Sequence, residues 1–181
     1  MPLIVPRRAV LTGAPGAGKT TLLDAAAAAG ILTSPEVARE LLRQPGGMAL
    51  RERDPLGFAE AMAEAHVREF DRHAAAPGAV LFDRGFPDVV GFLDVSGLSV
   101  PKAVDEACRK LRYSGPILRA PAWAEIYVQD AERIQDWQQA VASDEAVTAA
   151  WRRYGYEVTD LPLAGVGERL AFVTSRLQPA A

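Results

Sequence analysis

The chain has 181 residues, of which 49% are hydrophobic and 24% are charged. This length and composition favour one compact domain with a core large enough for an α/β sheet, and we expect no second domain. The formal net charge is -3, from 20 basic and 23 acidic residues spread along the chain. Such a distribution lacks the basic stripe that binds a nucleic-acid backbone, so we expect no nucleic-acid partner.

The sequence also indicates where the protein works. Cys108 is its one cysteine, which excludes an intramolecular disulfide, and no Cys/His cluster has the spacing of zinc ligands. The apolar start of the chain is too short for a signal peptide, and no apolar run reaches the length of a membrane span. We therefore expect a cytoplasmic protein with no membrane partner, either a monomer or a dimer.

Short apolar runs alternate with longer helical patterns, which is typical of βαβ units around a parallel sheet. The predicted strands are 9–12, 31–33, 79–82, 116–120 and 156–161. The predicted helices are 18–29, 35–44, 55–75, 87–95, 101–111, 131–154 and 167–177. Ser34-Pro35 and Asp54-Pro55 each resemble a helix cap followed by a proline at the first helical position. The fold class predicted from this alternation is α/β.

A glycine-rich segment connects the first predicted strand to the first predicted helix: Gly13-Ala14-Pro15-Gly16-Ala17-Gly18-Lys19-Thr20. Glycines there let the backbone curl so that successive N–H groups point at phosphate oxygens, and the helix adds the positive end of its dipole. Lys19 can reach the β and γ phosphates, and the Thr20 hydroxyl can ligate magnesium. The segment, with Thr21, therefore predicts a site for a nucleoside triphosphate and Mg²⁺. The alternative is a glycine-rich turn beside a surface lysine.

Asp83 follows the fully apolar run 79–82, at the carboxyl end of a predicted strand. Ligands bind at that end of the strands in an open α/β sheet. A carboxylate there can hold magnesium directly or through water, or it can serve as a helix cap or turn residue. The neighbouring Arg84 can clamp a phosphate or a substrate hydroxyl, or form a surface ion pair.

Two pairs of ring-bearing side chains are expected to be structural. His66 and His73 are seven residues apart in the predicted helix 55–75 and have no ligand partners in the sequence, so we expect them on its solvent side. Trp123 and Tyr127 are spaced one helical turn apart. They can pack a nucleobase or fix the connection after the fourth strand to the core, and the second role is favoured.

Four segments carry a resemblance to one family: residues 13–20, 36–40, 82–85 and 121–133. The last three read Glu-Val-Ala-Arg-Glu, Phe-Asp-Arg-Gly and Pro-Ala-Trp-Ala-Glu-Ile-Tyr-Val-Gln-Asp-Ala-Glu-Arg. Over nearly its whole length the chain resembles the AAA-type predicted-ATPase family of P-loop NTPases, which is similar to nucleoside kinases and to the ribosylnicotinamide kinase domain. The resemblance implies a three-layer α/β/α sandwich with a five-stranded parallel sheet in the order 2-3-1-4-5. It also implies a lid after the fourth strand, at about 121–136.

The resemblance also implies roles for particular residues. Glu36 matches the glutamate that receives the proton of the attacking hydroxyl in similar nucleoside kinases; the alternative is an ordinary acid in the first turn of a helix. Arg39, one turn further on, is expected to face the same pocket and bind substrate. Asp83 and Arg84 match an acid–arginine pair with metal and phosphate roles respectively.

Arg133 matches a lid arginine that neutralises charge on the transferring phosphoryl group. The alternative is an ion pair with Asp130 or Asp136 on a helix surface. An ATP-dependent kinase acting on the hydroxyl of a nucleoside-like small molecule is the predicted function. The other hypothesis is a regulatory nucleotide-binding module or slow ATPase or GTPase that acts through a protein partner.

Overall fold

The computed structural model describes residues 7–127 and 136–177. Within them, five parallel strands form one sheet in the order β2-β3-β1-β4-β5. The strands are β1 (Arg8–Gly13), β2 (Leu32–Thr33), β3 (Val80–Asp83), β4 (Ile117–Ala120) and β5 (Val158–Asp160). The predicted α/β class and the strand order that the resemblance implied are both confirmed. The predicted lid and the predicted helix 131–154 each include residues outside the described ranges.

Helices cover both faces of the sheet. The α-helices of the described residues are α1 (Lys19–Ala28), α2 (Val37–Arg43), α3 (Gly47–Arg53), α4 (Pro55–Arg72), α5 (Phe86–Val95), α6 (Lys102–Lys110), α7 (Trp137–Arg153) and α8 (Val166–Leu177). A single 3₁₀ turn, Ala124–Ile126, follows β4. Within the described ranges, none of these helices combines the length and the apolar character that a membrane span requires.

The strands divide the core into two layers because successive side chains of a strand point to opposite faces. In β1, Ala9 and Leu11 pack with α1 and α8, whereas Val10 packs with helices of the opposite layer. Both layers are apolar, as expected of a parallel sheet that is covered on both faces. The phosphate-loop helix α1 and the cavity-forming helices α2, α4 and α5 therefore lie on opposite sides of the sheet.

The second helix starts later than the sequence predicted. It begins at Val37, and Glu36 is its N-cap residue, with extended backbone angles of φ -76° and ψ 99°. Ser34 does not cap this helix; its hydroxyl instead accepts a hydrogen bond of 3.1 Å from the backbone N–H of Asp83. The prediction of a Ser34 cap with Pro35 at the first helical position was therefore wrong. Glu36 sits at the junction between strand and helix rather than in the first turn.

Helix α3 lies between two predicted helices and was not predicted from the sequence. Gly46 precedes it with a φ of 82°, a left-handed conformation that suits glycine. An added Cβ on Gly47 would lie 1.9 Å from the carbonyl oxygen of Leu41, so the start of α3 packs tightly on α2. The Pro-Gly-Gly signal correctly ended one helix but concealed the next. By contrast, Asp54 caps α4 through the N–H of Gly57 at 2.9 Å, as predicted.

Helices α5 and α7 pack closely at Gly91. A Cβ there would lie 2.6 Å from Cγ1 and 2.7 Å from Cα of Val147. We expect Gly91→Ala to lower the free energy of unfolding by about 2 kcal/mol, because the two helices must separate. Gly167→Ala is the matched control, since nothing lies within 4 Å of its added Cβ and alanine favours a helix. Urea denaturation checks both, and equal stabilities would contradict the close packing.

Candidate active site

The phosphate loop, residues 13–18, leaves the end of β1 in a conformation that requires glycine. Gly13, Gly16 and Gly18 have φ values of 114°, 76° and 77°. An added Cβ on Gly13 would lie 2.2 Å from the carbonyl oxygen of Ala120, and the N–H of Ala14 donates to that same oxygen at 3.0 Å. The loop is therefore pinned against the end of β4, which leaves no room for a side chain at its first position.

Lys19 and the two threonines that follow it occupy the N-terminus of α1. The Lys19 side chain is buried, and its Nζ donates to the carbonyl oxygen of Ala14. Burial, together with the charge of Arg84, lowers the pKa of Lys19 to about 8. Thr20 and Thr21 are exposed, at a helix end whose first N–H groups have no partner within the helix. A bound polyanion would relieve the cost of burying the lysine.

Arg169 of α8 supports the loop from behind. Its Nη1 donates to the carbonyl oxygen of Ala17 at 2.7 Å, and its Nε donates to that of Pro162 at 2.9 Å. Its guanidinium carbon also lies 5.1 Å from the centre of the Trp123 ring. Arg169 was not predicted as a site residue, because an arginine in the last helix belongs to no motif. Trp123 therefore packs near the loop, beside the connection that follows β4.

Asp83 ends β3 with a carboxylate that is incompletely satisfied. The side chain is 5% exposed, and its buried Oδ1 has no hydrogen-bond partner among the described residues. Burial, followed by the charge of Glu36, raises the pKa of Asp83 to about 7. Within the described ranges, no group of three or more His, Cys, Asp or Glu side chains could form a metal site. An unpaired oxygen beside a phosphate site fits Mg²⁺, which takes few protein ligands and keeps waters and phosphate oxygens.

Arg84 has a strained backbone and a heavily bonded side chain. Its φ of 66° is the one positive value among the described non-glycine residues, a conformation that costs on the order of 1–3 kcal/mol. Its Nη1 donates to Gly13 O at 3.2 Å and to Asp88 Oδ1 at 3.0 Å. Its Nε lies 3.6 Å from Oε1 of Glu36. The contacts hold the guanidinium between the phosphate loop and the start of α2.

Asp88 is a buried residue of this site that the sequence analysis missed. Besides Arg84, its carboxylate accepts hydrogen bonds from Thr12 Oγ1 at 2.6 Å, from Trp151 Nε1 at 3.0 Å and from the N–H of Gly85 at 3.0 Å. It therefore sets the position of Arg84. The available sequence signal was local: an acid three residues after a glycine that precedes a helix is a capping pattern.

Glu36 lies between two arginines. Its Oε2 is 3.2 Å from Nε of Arg39, and its Oε1 faces Arg84. Burial alone would raise its pKa, but Arg84, Lys19 and Arg39 together lower the pKa below its usual value. The carboxylate is therefore ionised at neutral pH and held in place from both sides.

These side chains surround one cavity of about 510 Å³. Its wall includes the phosphate loop with Lys19, Thr20 and Thr21, and also Glu36, Arg39, Arg84 and Asp88. The apolar part is formed by Val37, Leu42, Met48, Phe58, Met62, Val89, Phe92, Val95 and Val147. Most of the predicted site residues thus meet around one space. Asp83 does not line the cavity, and Arg133 lies outside the described residues.

His66 of α4 and His73, the C-cap residue of that helix, are not on its solvent side, so that prediction was wrong. His66 is 4% exposed and lines the cavity. His73 is partly buried at the end of the helix, where its ring lies edge-on to Phe82 and its Nε2 is 3.7 Å from Oε2 of Glu69. Their seven-residue spacing places both on the inner face of the helix.

A family model described as AAA domain matches residues 8–169. The chain belongs to this AAA domain family. No curated protein matches the sequence. The AAA domain chain is similar to a deoxyadenosine kinase from M. mycoides with bound dATP, with a TM-score of 0.70, 12% identity and coverage of 94% of this chain and 98% of that one.

Two other solved structures are similar to this AAA domain protein. NadR in complex with NR gives a TM-score of 0.69 and 18% identity over 96% of this chain but 50% of that one. Thymidylate kinase from Candida albicans gives a TM-score of 0.66 and 9% identity, with 94% and 90% of the two chains covered. At these identities the comparison shows a shared P-loop kinase fold.

The raised pKa of Asp83 makes the stability of the nucleotide-free protein depend on pH. Its usual value is 3.8 and its folded value is about 7, so the folded state holds an extra proton between these pH values. The contribution of this group to stability therefore falls as pH rises through that window. We expect Asp83→Asn to raise the free energy of unfolding on the order of 1 kcal/mol at about pH 8.

Urea denaturation of nucleotide-free protein at about pH 4 and pH 8 tests this expectation. The gain from Asp83→Asn should be larger at the higher pH, where the wild-type carboxylate is charged. Asp24→Asn changes an exposed aspartate of α1 and is the matched control, with an expected change within about 0.5 kcal/mol. The same gain at both pH values would contradict a raised pKa.

Proposed function

We propose that this AAA domain protein is a magnesium-dependent kinase that transfers the γ-phosphoryl group of ATP to a hydroxyl of a nucleoside-like small molecule. The supporting observation is the cavity of about 510 Å³, which joins the phosphate loop to an ionised carboxylate and an apolar wall. A volume of this size suits a small organic ligand. The similar structures also include a deoxyadenosine kinase with dATP and NadR with NR.

The phosphate loop would hold the triphosphate. Backbone N–H groups of residues 13–21 and the ammonium of Lys19 supply positive charge, and the N-terminus of α1 adds its dipole. Thr20 and Asp83 would hold Mg²⁺. When it is bound, this ion would neutralise negative charge on the phosphates. The unpaired Oδ1 of Asp83 supports this assignment. Binding of the polyanion would also restore the lowered pKa of Lys19 towards its usual value.

Glu36 would orient the acceptor hydroxyl at the other side of the phosphate site. The hydroxyl oxygen attacks the γ-phosphorus, the bond from that phosphorus to the β–γ bridging oxygen breaks, and ADP leaves with the bonding electrons. Glu36 takes the hydroxyl proton. Because Arg84 and Arg39 keep this carboxylate ionised, the proton moves late, when the new P–O bond is largely formed. Arg39 also contributes to substrate binding in this proposal.

Arginines would balance the negative charge on the transferring group. Arg84 is already fixed beside the loop through Gly13 O and Asp88. Arg133 keeps its predicted lid role as part of the proposal. Preorganised positive charge of this kind contributes much of the rate enhancement in phosphoryl transfer.

A regulatory module or slow ATPase needs the phosphate loop but has no use for an acceptor cavity beside Glu36. Incubation with labelled ATP and a panel of nucleosides and small alcohols separates the two functions. Transfer of label to one acceptor supports the kinase. Slow phosphate release without transfer to any acceptor would support the alternative.

Lys19→Ala should weaken ATP binding by about a hundredfold or more, because the lysine makes charge-assisted contacts with phosphate. The fold should survive, because burial of the Lys19 ammonium is energetically unfavourable and this side chain is not part of the apolar core. Lys102→Ala removes an exposed lysine whose side chain is 91% exposed and is the matched control. Titration calorimetry with MgATP and urea denaturation measure the two effects. Unchanged ATP affinity would refute the phosphate-site assignment.

Glu36→Gln should reduce phosphate transfer at least about a hundredfold while ATP binding changes little, since the amide cannot accept the hydroxyl proton. Glu40→Gln is the control on the same helix, because Glu40 is exposed and does not line the cavity. Single-turnover transfer assays and ATP titrations check the variants side by side. Transfer at the wild-type rate in Glu36→Gln would remove this residue from the mechanism.

A further inference from the structure

The residues that α4 contributes to the cavity lining are apolar except for one buried imidazole. His66 lies on α4, one turn after Met62, and its ring packs against Phe86 with the centroids 6.0 Å apart. Phe58 and Phe92 form an edge-to-face pair in the same wall, with centroids 5.7 Å apart. This arrangement gives an apolar surface that suits a planar ring, with a single polar group set into it.

The polar atoms of the His66 ring are unpaired within the described part of the chain. Among the described residues it makes no hydrogen bond and no ion pair, although the side chain is only 4% exposed. The side chain lines the cavity, and its ring nitrogens are not completely enclosed by the described residues. A polar group that is largely buried and has no protein partner carries a desolvation cost. A ligand in the cavity that pairs with the imidazole removes that cost.

The site around His66 disfavours positive charge. Burial lowers the pKa of His66 to about 4, with Arg84 lowering it further against the opposing effects of Asp88 and Glu36. The ring is therefore neutral at physiological pH, with one nitrogen that donates and one that accepts. A surrounding that prevents an imidazole from becoming cationic also penalises a cationic ligand ring at the same place.

The charges of the cavity wall act in the same direction. Five cationic side chains line the cavity, namely Lys19, Arg39, Arg43, Arg51 and Arg84, against the two carboxylates Glu36 and Asp88. Both carboxylates are already engaged. Glu36 is paired with Arg39 and Arg84, and Asp88 accepts hydrogen bonds from four groups. Among the described lining residues, no carboxylate is left to balance a pyridinium ring.

We infer that the acceptor is a nucleoside with a neutral heterocyclic base, and that His66 recognises the hydrogen-bonding edge of that base. This inference rests on the proposed kinase function and narrows its substrate class. The base packs against Phe92 and Met62, and its donor or acceptor atoms pair with the His66 nitrogens. Nucleosides with a cationic ring, such as nicotinamide riboside, are excluded by charge.

Binding measurements test the inference independently of transfer. Titration calorimetry of nucleotide-free protein with adenosine, deoxyadenosine, deoxycytidine and thymidine should find at least one ligand that binds at least about tenfold more tightly than nicotinamide riboside. If a purine nucleoside binds, its affinity should also be higher than that of benzimidazole riboside, whose base lacks the nitrogens of the hydrogen-bonding edge. Equal or tighter binding of nicotinamide riboside, or no binding by any neutral nucleoside, would overturn the inference.

Variants of His66 assign the recognition to this residue. His66→Phe keeps an aromatic ring but removes both nitrogens, so it should lose about tenfold in affinity for the preferred nucleoside. In this variant, the affinity for benzimidazole riboside should equal the affinity for that nucleoside. His66→Gln restores a donor and an acceptor and should recover part of the affinity. His73→Phe, at the end of the same helix and outside the cavity wall, is the matched control.

MgATP affinity and urea denaturation show that each variant is folded and still binds the donor. Unchanged nucleoside affinity and selectivity in His66→Phe would refute the role of His66. Binding of a neutral nucleoside without transfer of phosphate would support recognition of the base by His66 and refute the kinase function. Transfer to nicotinamide riboside in preference to neutral nucleosides would support the kinase and refute the inference.

Discussion

The buried carboxylate of Asp88 joins the elements that form the active site. Its hydrogen bonds reach β1 through Thr12, α7 through Trp151 and the start of α5 through Gly85. Its fourth partner is Arg84, whose backbone is strained. Because a buried charge must be fully paired, these elements can occupy only one mutual arrangement. The position of the guanidinium beside the phosphate loop follows from that arrangement.

The charges of the site are balanced for a ligand rather than for the free protein. Burial lowers the pKa of Lys19 to about 8 and raises that of Asp83 to about 7. Each shift records an energetic cost that polyphosphate and a hard cation would remove. Glu36 is different, because its two arginine neighbours already stabilise its ionised form. The charged groups of Lys19 and Asp83 at the phosphate site thus lack compensating partners, whereas the Glu36 carboxylate is already held in its ionised form.

Much of the fold and the phosphate loop could be predicted from local sequence. The glycines of residues 13–18 indicate positive φ angles, and Asp54-Pro55 indicates a helix start, because both depend on the backbone preferences of adjacent residues. Asp83 could be placed at a strand end for the same reason. The start of α2 could not be predicted in this way, because the Ser34 hydroxyl accepts a hydrogen bond from the Asp83 N–H instead of capping the helix.

The sequence by itself determined the α/β alternation, the phosphate loop and the acid at the end of β3, since each of these features depends on residues that are adjacent along the chain. Only the tertiary structure decided that Asp88 is bonded to Thr12 and Trp151, that Arg169 supports the loop and that His66 lines the cavity. These contacts join residues from distant segments or depend on which face of a helix is buried. Packing between elements sets that choice, and no local pattern specifies it.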